Sequence, residues 1–361
     1  MRRVLVALAA IATAGSTLTQ PALTQPAVSQ PSLTQDDPLI PAGPGVFGAP
    51  SLNVPTLTQP SPSDKNLPAP TDIPDRLQAP SRDPNADLAF GAYQRGFYST
   101  ALREAMKRLG QNSKDGPAMT LLGELYAQGL GVRQSKEEAA RWFKLAAEAG
   151  DPQAMFELGI AEMKGDGVEQ DREGARAMFQ MAADQNQPSA LFYLGLMAMQ
   201  GNGVAPDYRT ASIYLRRAAE LNNSEAQYAL GLMYRHGDGV PQDDAKAVPL
   251  IAAAAASDNV AAMIELGIMQ FNGVGMPKDE SAAAKLFVKA AGRNNAVAQD
   301  RAARLYVTGR GVPNDIVEGM KWHVLSRAAG LKDEWLDGEM SKLTPAERDA
   351  VDKAVRHFIG S

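Results

Sequence analysis

The sequence predicts an all-α protein built from a tandem array of helical hairpins, and three recurring features predict it. A glycine pair, G-x-G, returns every 36 residues from Gly129 to Gly311 without any insertion. Apolar residues on both sides of each pair follow the three- and four-residue spacing of a buried helix face. A Ser or Asp lies four residues after each pair, where a second helix would begin. Such self-similarity at a fixed period is typical of helical repeat arrays.

The glycine pairs are predicted to be turns and not nucleotide sites. A single G-x-G can open a phosphate-binding loop, but such a loop occurs once and follows a strand. Six copies between helical segments instead indicate that each pair ends a helix with positive φ angles and reverses the chain. The pairs begin at Gly129, Gly165, Gly201, Gly237, Gly273 and Gly309.

The first helix of each unit is predicted to begin at signals such as Asp151-Pro152 or Gln187-Pro188. It then passes through a Leu-Gly pair, for example Leu158-Gly159, which Ala302-Ala303 replaces in the sixth copy. We expect these small residues to let a neighbouring helix approach closely.

The second helix has its own predicted N-cap in every unit, at Ser135, Asp171, Asp207, Asp243, Asp279 and Asp315. Glu138 and Glu318 stand where a capping box would place a reciprocal glutamate. Residues at the i, i+3, i+4, i+7 and i+8 spacing form one buried face, as in Ala139, Trp142, Phe143, Ala146 and Ala147. Each helix is predicted to end at a residue that tolerates the left-handed conformation, namely Gly150, Asn186, Asn222, Asp258, Asn294 or Gly330.

The combined pattern, A-x-x-x-L-G…G-x-G-V…D-x-x-x-A…A-A, closely resembles the Sel1-like repeat, a relative of the tetratricopeptide repeat. Six consecutive copies cover residues 116–331. The usual tyrosine of the first helix stands at Tyr126, Tyr234 and Tyr306 and is replaced by Glu162, Ala198 and Gln270. The resemblance implies a right-handed α/α superhelical solenoid that binds other proteins.

Both ends of the array are predicted to be closed by atypical segments. Residues 85–115 indicate a degenerate leading repeat, whose packing residues would be Ala89, Tyr93, Phe97, Ala101 and Ala105. In the sixth copy His323, Ser326 and Arg327 replace Phe, Ala and Ala, as expected for a polar end face. Residues 332–361 are predicted to form a C-terminal helical cap with one apolar stripe of Val351, Val355, Phe358 and Ile359.

The N-terminal residues have a different character. Arg2 and Arg3, an apolar run and Ala12-Thr13-Ala14 predict a secretory signal peptide at 1–14, and therefore a periplasmic or secreted protein. Residues 15–84 are predicted to be a disordered proline-rich linker, since fifteen of the chain's 24 prolines lie between Ser16 and Pro84. The linker is interpreted either as a spacer or as a ligand for a proline-binding partner.

Composition argues against several classes of function. The net charge of −5 and the absence of a basic tract argue against nucleic acid. The chain has no cysteine, and its three histidines form no ligand pair, so neither a metal nor another cofactor is expected. The apolar run near the N-terminus is too short for a transmembrane anchor. No nucleophile-elbow motif predicts a catalytic residue.

A partner-binding groove is predicted on the first helices of units two to five. The fifth, ninth and twelfth residues of these helices face away from the second helix and are mostly apolar, which predicts a concave groove by resemblance to the tetratricopeptide repeat. These twelve residues, called here the predicted groove, are Phe156, Ile160, Met163, Phe192, Leu196, Met199, Tyr228, Leu232, Arg235, Ile264, Ile268 and Phe271.

Two alternatives compete with an open groove. Tight curvature or the C-terminal helix would cover these residues, or the proline-rich segment would occlude them in cis. With the groove open, the sequence predicts an exported, non-enzymatic scaffold that binds an envelope protein or peptide. Among the exported proteins of this family, some resemble negative regulators that bind the periplasmic domain of a sensor kinase and restrain exopolysaccharide or surface signalling. The alternative function is a peptidoglycan-associated or hydrolase-like envelope factor, which a carboxylate-bearing groove would favour.

Overall fold

The computed structural model describes residues 87–201 and 205–360, and in these ranges it contains sixteen α-helices and no β-strand. The chain divides into two units between Ala79 and Pro80, and every described helix belongs to the second. The predicted signal peptide at 1–14, the predicted linker at 15–84 and the turn residue Gly203 lie outside the described residues.

Six helical hairpins of constant size follow a short leading hairpin, which confirms the predicted all-α repeat array. The leading hairpin is α1 Leu88–Gln94 and α2 Tyr98–Gln111. We call the first helix of each repeat the A helix and the second the B helix. The A helices are α3 Gly116–Gln128, α5 Pro152–Lys164, α7 Pro188–Gln200, α9 Ser224–His236, α11 Val260–Asn272 and α13 Ala296–Thr308. The B helices are α4 Lys136–Glu148, α6 Arg172–Asp184, α8 Tyr208–Glu220, α10 Asp244–Ala256, α12 Glu280–Gly292 and α14 Ile316–Ala328.

The core runs along the array because each helix packs on both of its sequence neighbours. Every A helix packs on the B helix of its own repeat, and that B helix packs on the next A helix. Alanines at the helix contacts are fully buried, as at Ala154, Ala190 and Ala226. Larger side chains such as Phe179 and Leu215 fill the space between them. No described helix is long and apolar enough to span a bilayer.

The glycine pairs end the A helices as predicted. Gly165 adopts the left-handed conformation with φ of 75° and donates its N–H to the carbonyl of Ala161. The second glycine, Gly167, also has a positive φ of 74°. A Cβ on Gly167 would overlap the backbone carbonyl of Lys136 at the start of the preceding B helix. The second glycine therefore sets how closely successive repeats approach, in addition to turning the chain.

The predicted B-helix caps are all present, but the two predicted capping boxes are not. Ser135 Oγ accepts the Glu138 N–H at 3.2 Å, whereas the Glu138 carboxylate binds Arg141. The Ser135 N–H is already donated to the carbonyl of Tyr126 at 3.0 Å. Equivalent bonds join the B-helix cap to the A helix in all six repeats, so no cap N–H is free for a reciprocal glutamate. In the sixth repeat the Glu318 carboxylate binds Lys321 instead.

The Leu-Gly pairs permit close A–B packing, as predicted. A Cβ on Gly159 would lie 2.7 Å from a ring carbon of Phe179 in the B helix. In the sixth repeat the residues equivalent to Gly159 and Phe179 are Ala303 and His323. The methyl group of Ala303 is thus matched by an imidazole ring, which is smaller than the phenyl ring of Phe179. The glycine of that repeat lies instead at Gly319 in the B helix, which is buried.

The polar end face predicted for the sixth repeat is wrong for two of its three residues. His323 and Ser326 are fully buried, and only Arg327 is exposed. Helices α15 Glu334–Ser341 and α16 Pro345–Gly360 follow, and α16 packs on α14. His323 Nε2 lies 2.9 Å from Asp337 Oδ1 of α15.

The leading and closing segments otherwise follow the predictions. Ala89, Tyr93, Ala101 and Ala105 are buried and Phe97 is half-buried, as predicted for the leading hairpin. At the C-terminus, Val351, Val355 and Phe358 pack against the core. Ile359 is 70% exposed and was wrongly included in this stripe, because it lies on the solvent side of α16.

Candidate partner-binding surface

The structure places the twelve predicted groove residues on α5, α7, α9 and α11, and none of them is fully exposed. Nine are half-buried, and three are buried. The buried three are Phe156, Ile160 and Phe271, with exposed fractions of 4%, 8% and 7%. Partner binding by these residues stays a prediction, but the free surface they offer is concentrated in the other nine.

The middle of the predicted groove is an aromatic cluster that continues into the core. The Phe156 ring lies 5.8 Å from Phe179 and 5.5 Å from Tyr193, measured between ring centres. Phe192 packs its ring at 90° to Tyr193, with 5.8 Å between the centres. Phe156 therefore supports the surface from below, while the half-buried Phe192, Leu196 and Met199 of α7 form its open part.

The C-terminal part of the predicted groove is partly covered by charged side chains. The guanidinium carbon of Arg310 lies 4.3 Å from the centre of the Phe271 ring, and Lys278 approaches the same ring at 5.7 Å. Arg235 forms an ion pair with Glu265, and its Nε lies 3.7 Å from Asp244. The guanidinium predicted as a polar spot in the groove is thus neutralised within the array.

The sixth residue of each A helix belongs to the same surface and was missed by the sequence prediction. We call these the position-six residues: Leu121, Glu157, Tyr193, Ala229, Glu265 and Arg301. They contact groove-position residues of the preceding repeat, as Tyr193 contacts Phe156 and Glu265 contacts Arg235. A comparison of all thirteen A-helix positions at the 36-residue spacing would have revealed that position six is charged in three of the six repeats.

Two half-buried carboxyl groups approach each other where repeats 1 and 2 meet. Burial raises the pKa of Glu124 to about 7, and the nearby Glu157 raises it further. Burial also raises the pKa of Glu157 to about 7, although Gln153 Nε2 donates to its Oε1 at 2.7 Å. Gln187 Nε2 in turn donates to Gln153 Oε1 at 2.8 Å. The N-terminal end of the surface therefore carries carboxyl groups that remain partly protonated near neutral pH.

The C-terminal end of the surface is closed by the cap. Arg304 Nε donates to Asp333 Oδ2 at 2.6 Å, and the guanidinium carbon lies 5.3 Å from the Trp335 ring centre. Asp300 Oδ2 lies 3.9 Å from Arg304 Nε. Burial raises the pKa of Asp300 to about 6, and the neighbouring Asp333 charge adds to this rise.

Among the described residues, no group of three or more His, Cys, Asp or Glu side chains could hold a metal ion. His236 and His357 are exposed, and His323 is buried against Asp337. The surface therefore consists of apolar side chains, a carboxyl pair and internally paired arginines, except that Arg301 forms no ion pair among the described residues.

The fold and this surface define a helical-repeat scaffold for protein–protein interaction. The Sel1 repeat model matches six consecutive stretches, residues 116–151, 152–187, 188–223, 224–259, 260–295 and 296–331. The chain belongs to the Sel1 repeat family, whose members act as protein–protein interaction scaffolds and whose fold is typically non-catalytic.

One solved structure supports this assignment, and a second is more distantly similar. A Sel1 repeat protein from Oxalobacter formigenes is 33% identical, with a TM-score of 0.61 over 67% of this chain and 98% of that chain. The protective antigen c5321 of uropathogenic Escherichia coli, which displays the same repeat fold, is 26% identical over 76% of this chain and 67% of that chain, with a TM-score of 0.48. No curated protein matches the chain significantly.

Proposed function

We propose that this chain is an exported, non-enzymatic scaffold that holds a segment of an envelope protein against the half-buried apolar side chains of its A helices. The half-exposed surface of α7 carries the proposal. Phe192, Leu196 and Met199 present apolar area to solvent beside the buried Phe156–Tyr193 cluster, which makes that area rigid. A rigid apolar surface binds a partner segment with little loss of side-chain entropy.

The cellular setting is part of the proposal. The basic, apolar and small-residue order of residues 1–14 supports export to the periplasm or beyond. A scaffold in that compartment meets envelope proteins, and restraint of a sensor in envelope or exopolysaccharide signalling is the role we assign to it. The proline-rich residues 15–84 would serve as its spacer.

Affinity capture from envelope extract of the producing organism tests this function. The full chain is compared with the double variant Phe192→Glu and Leu196→Glu. The matched control is Met181→Glu and Ile213→Glu, which adds the same charge at exposed apolar residues of the B helices. We expect the control to retain the captured protein and the Phe192/Leu196 variant to lose it, with circular dichroism showing that both are folded. Equal capture by both folded variants would contradict the proposal.

One observation favours a second candidate function, a peptidoglycan-associated or hydrolase-like factor. Burial gives Glu124 and Glu157 pKa values of about 7, which suits a general acid near neutral pH. The test is binding and turnover of purified peptidoglycan by the full chain and by Glu124→Gln and Glu157→Gln. This candidate is supported if the full chain turns over peptidoglycan and either variant abolishes that turnover. It is rejected if the full chain neither binds nor turns over peptidoglycan.

A further inference from the structure

Arg301 carries a charge for which the described residues provide no ion pair. It is the position-six residue of repeat 6, on α13, and its side chain is largely enclosed. In the described part of the chain, no hydrogen-bond acceptor or carboxylate is paired with its guanidinium, and its Nε is buried without a partner. Its described contact is with the Phe287 ring, whose centre lies 5.6 Å from the guanidinium carbon.

The equivalent residue in repeat 5 shows that the array can neutralise a charge at this position. Glu265 is 6% exposed and forms an ion pair with Arg235 of the preceding repeat. Arg235 is the twelfth residue of its A helix. Arg301 lies in repeat 6, and the twelfth residue of the A helix of repeat 5 is Phe271, which carries no charge. The difference between the two sites therefore lies in one side chain of the preceding repeat.

The acidic groups near Arg301 are engaged elsewhere. Asp333 accepts hydrogen bonds from Arg304 and from the Leu336 N–H, which it caps. Asp300 Oδ2 lies 3.9 Å from Nε of the same Arg304, and its charge acts on Arg301 without forming an ion pair with it. Burial lowers the pKa of Arg301 itself, against the charge of Asp300. A half-buried cation without an ion pair has lost part of its hydration, and an anion from outside would offset that cost.

The surroundings define the chemistry of that anion. A guanidinium presents a planar set of donors that matches a carboxylate. The register in which Tyr193 contacts Phe156 would place Arg301 beside Ile264, a half-buried groove residue of α11. We propose that Arg301 binds a carboxylate of the partner segment, with an adjoining apolar side chain of that segment packed on Ile264 and Ile268. This inference rests on the proposed function, in which the A-helix surface holds a protein segment.

The ligand test uses N-acetyl-leucine, a carboxylate beside an apolar side chain, and its uncharged matched control N-acetyl-leucinamide. Each is titrated into the full chain at millimolar concentration, and the Arg301 Nε–Hε and isoleucine methyl resonances are followed by NMR. We expect the acid to shift the Arg301 and Ile268 signals with an affinity about tenfold above that of the amide. Arg301→Gln should abolish the difference between the two compounds. Identical effects of acid and amide, or no shift with the acid, overturn the proposal.

A stability measurement on the free chain provides a second, independent test. Arg301→Met replaces an unneutralised cation by an apolar side chain, so the melting temperature is expected to rise. Arg235→Met is the matched control, because it leaves Glu265 buried without its partner and should lower the melting temperature. A fall in melting temperature for Arg301→Met would show that the guanidinium is already satisfied and would overturn the proposal.

The two proposals fail separately. If the acid and amide probes are indistinguishable while the Phe192/Leu196 variant still loses the captured protein, the carboxylate site is rejected and the scaffold function stands. If the acid binds at Arg301 but the Phe192/Leu196 variant captures the same proteins as the native chain, the carboxylate site stands and its assignment to that partner surface is rejected.

Discussion

Arg304 of the last repeat donates its Nε–H to Asp333 at the start of α15, across 2.6 Å. The same carboxylate accepts the Leu336 N–H at 3.1 Å and so caps the helix. The side chains of Arg304 and Asp333 are only 12% and 5% exposed. One carboxylate therefore both starts α15 and attaches it to the array.

Replacement of Asp333 by alanine is expected to destabilise the C-terminal cap by about 3 kcal/mol, because it removes the hydrogen-bonded partner of a mostly enclosed arginine and an N-cap. Hydrogen exchange of α15 and α16, compared with that of α5, measures the effect locally. Asp349→Ala is the control, since its ion pair with Lys353 is mostly exposed and its loss should leave exchange unchanged. If α15 and α16 are as protected from hydrogen exchange in the Asp333 variant as in the native chain, the attachment through Asp333 is contradicted.

Glu157→Gln is expected to stabilise the array in a pH-dependent way. The pKa of Glu157 is raised to about 7 in the folded state from 4.5, so ionisation is less favourable in the folded state. The stability that the protonated carboxyl group allows is therefore lost as pH rises from 4.5 to 7, because the group must then ionise in a half-buried site. Glutamine does not ionise and so avoids this loss. Chemical denaturation should show a gain of about 1 to 3 kcal/mol at pH 8 and almost none at pH 4. Glu220→Gln, at an exposed residue of α8, is the control and should show no such trend. A pH-independent effect of Glu157→Gln would be inconsistent with the raised pKa.

Gly167→Ala tests whether the second glycine of each turn sets the approach of successive repeats. The added methyl group would overlap the carbonyl of Lys136, so we expect a loss of about 3 kcal/mol or more. Gly150→Ala is the matched control, since Gly150 also has a positive φ, of 92°, but no atom lies within 4 Å of its added Cβ. It should cost about 1 kcal/mol for the left-handed backbone alone. If thermal unfolding shows equal losses of stability for Gly167→Ala and Gly150→Ala, the close approach at Gly167 does not contribute to stability.

His323→Phe and Ala303→Gly test the compensation in the sixth repeat. Phenylalanine at 323 restores the ring found opposite glycine at Phe179 and Gly159, but Ala303 would obstruct it. We expect His323→Phe alone to lose about 2 kcal/mol, through overpacking and the lost contact with Asp337. The double variant should be more stable than the sum of the single effects predicts, by about 1 kcal/mol. Additive losses in a double-mutant cycle would exclude direct coupling of the two sites.

The helices and their boundaries were predictable because their signals are local. Asp171 caps its own helix, and Asn186 ends it with a positive φ of 61°. The capping boxes failed for a reason that local sequence does not contain. The N–H of Ser135 is donated to Tyr126 of the preceding helix, which leaves nothing for Glu138 to accept.

The candidate surface was predictable only in outline. Helical periodicity identified positions five, nine and twelve, yet it assigned Phe156 to a free surface that the Phe179 and Tyr193 rings largely cover. It also passed over position six, where Glu157 and Arg301 lie. Their importance depends on which charges the neighbouring repeat supplies.

The sequence by itself determined the number of repeats, the place of the helix ends within them and the buried alanine face, because these follow from a constant period and from caps within a few residues. Tertiary structure alone decided that Glu265 is neutralised by Arg235 while Arg301 forms no ion pair among the described residues, and that His323 is buried beneath the cap. Burial and charge balance arise between repeats, where side chains about 30 residues apart in sequence meet, and no single repeat encodes that meeting.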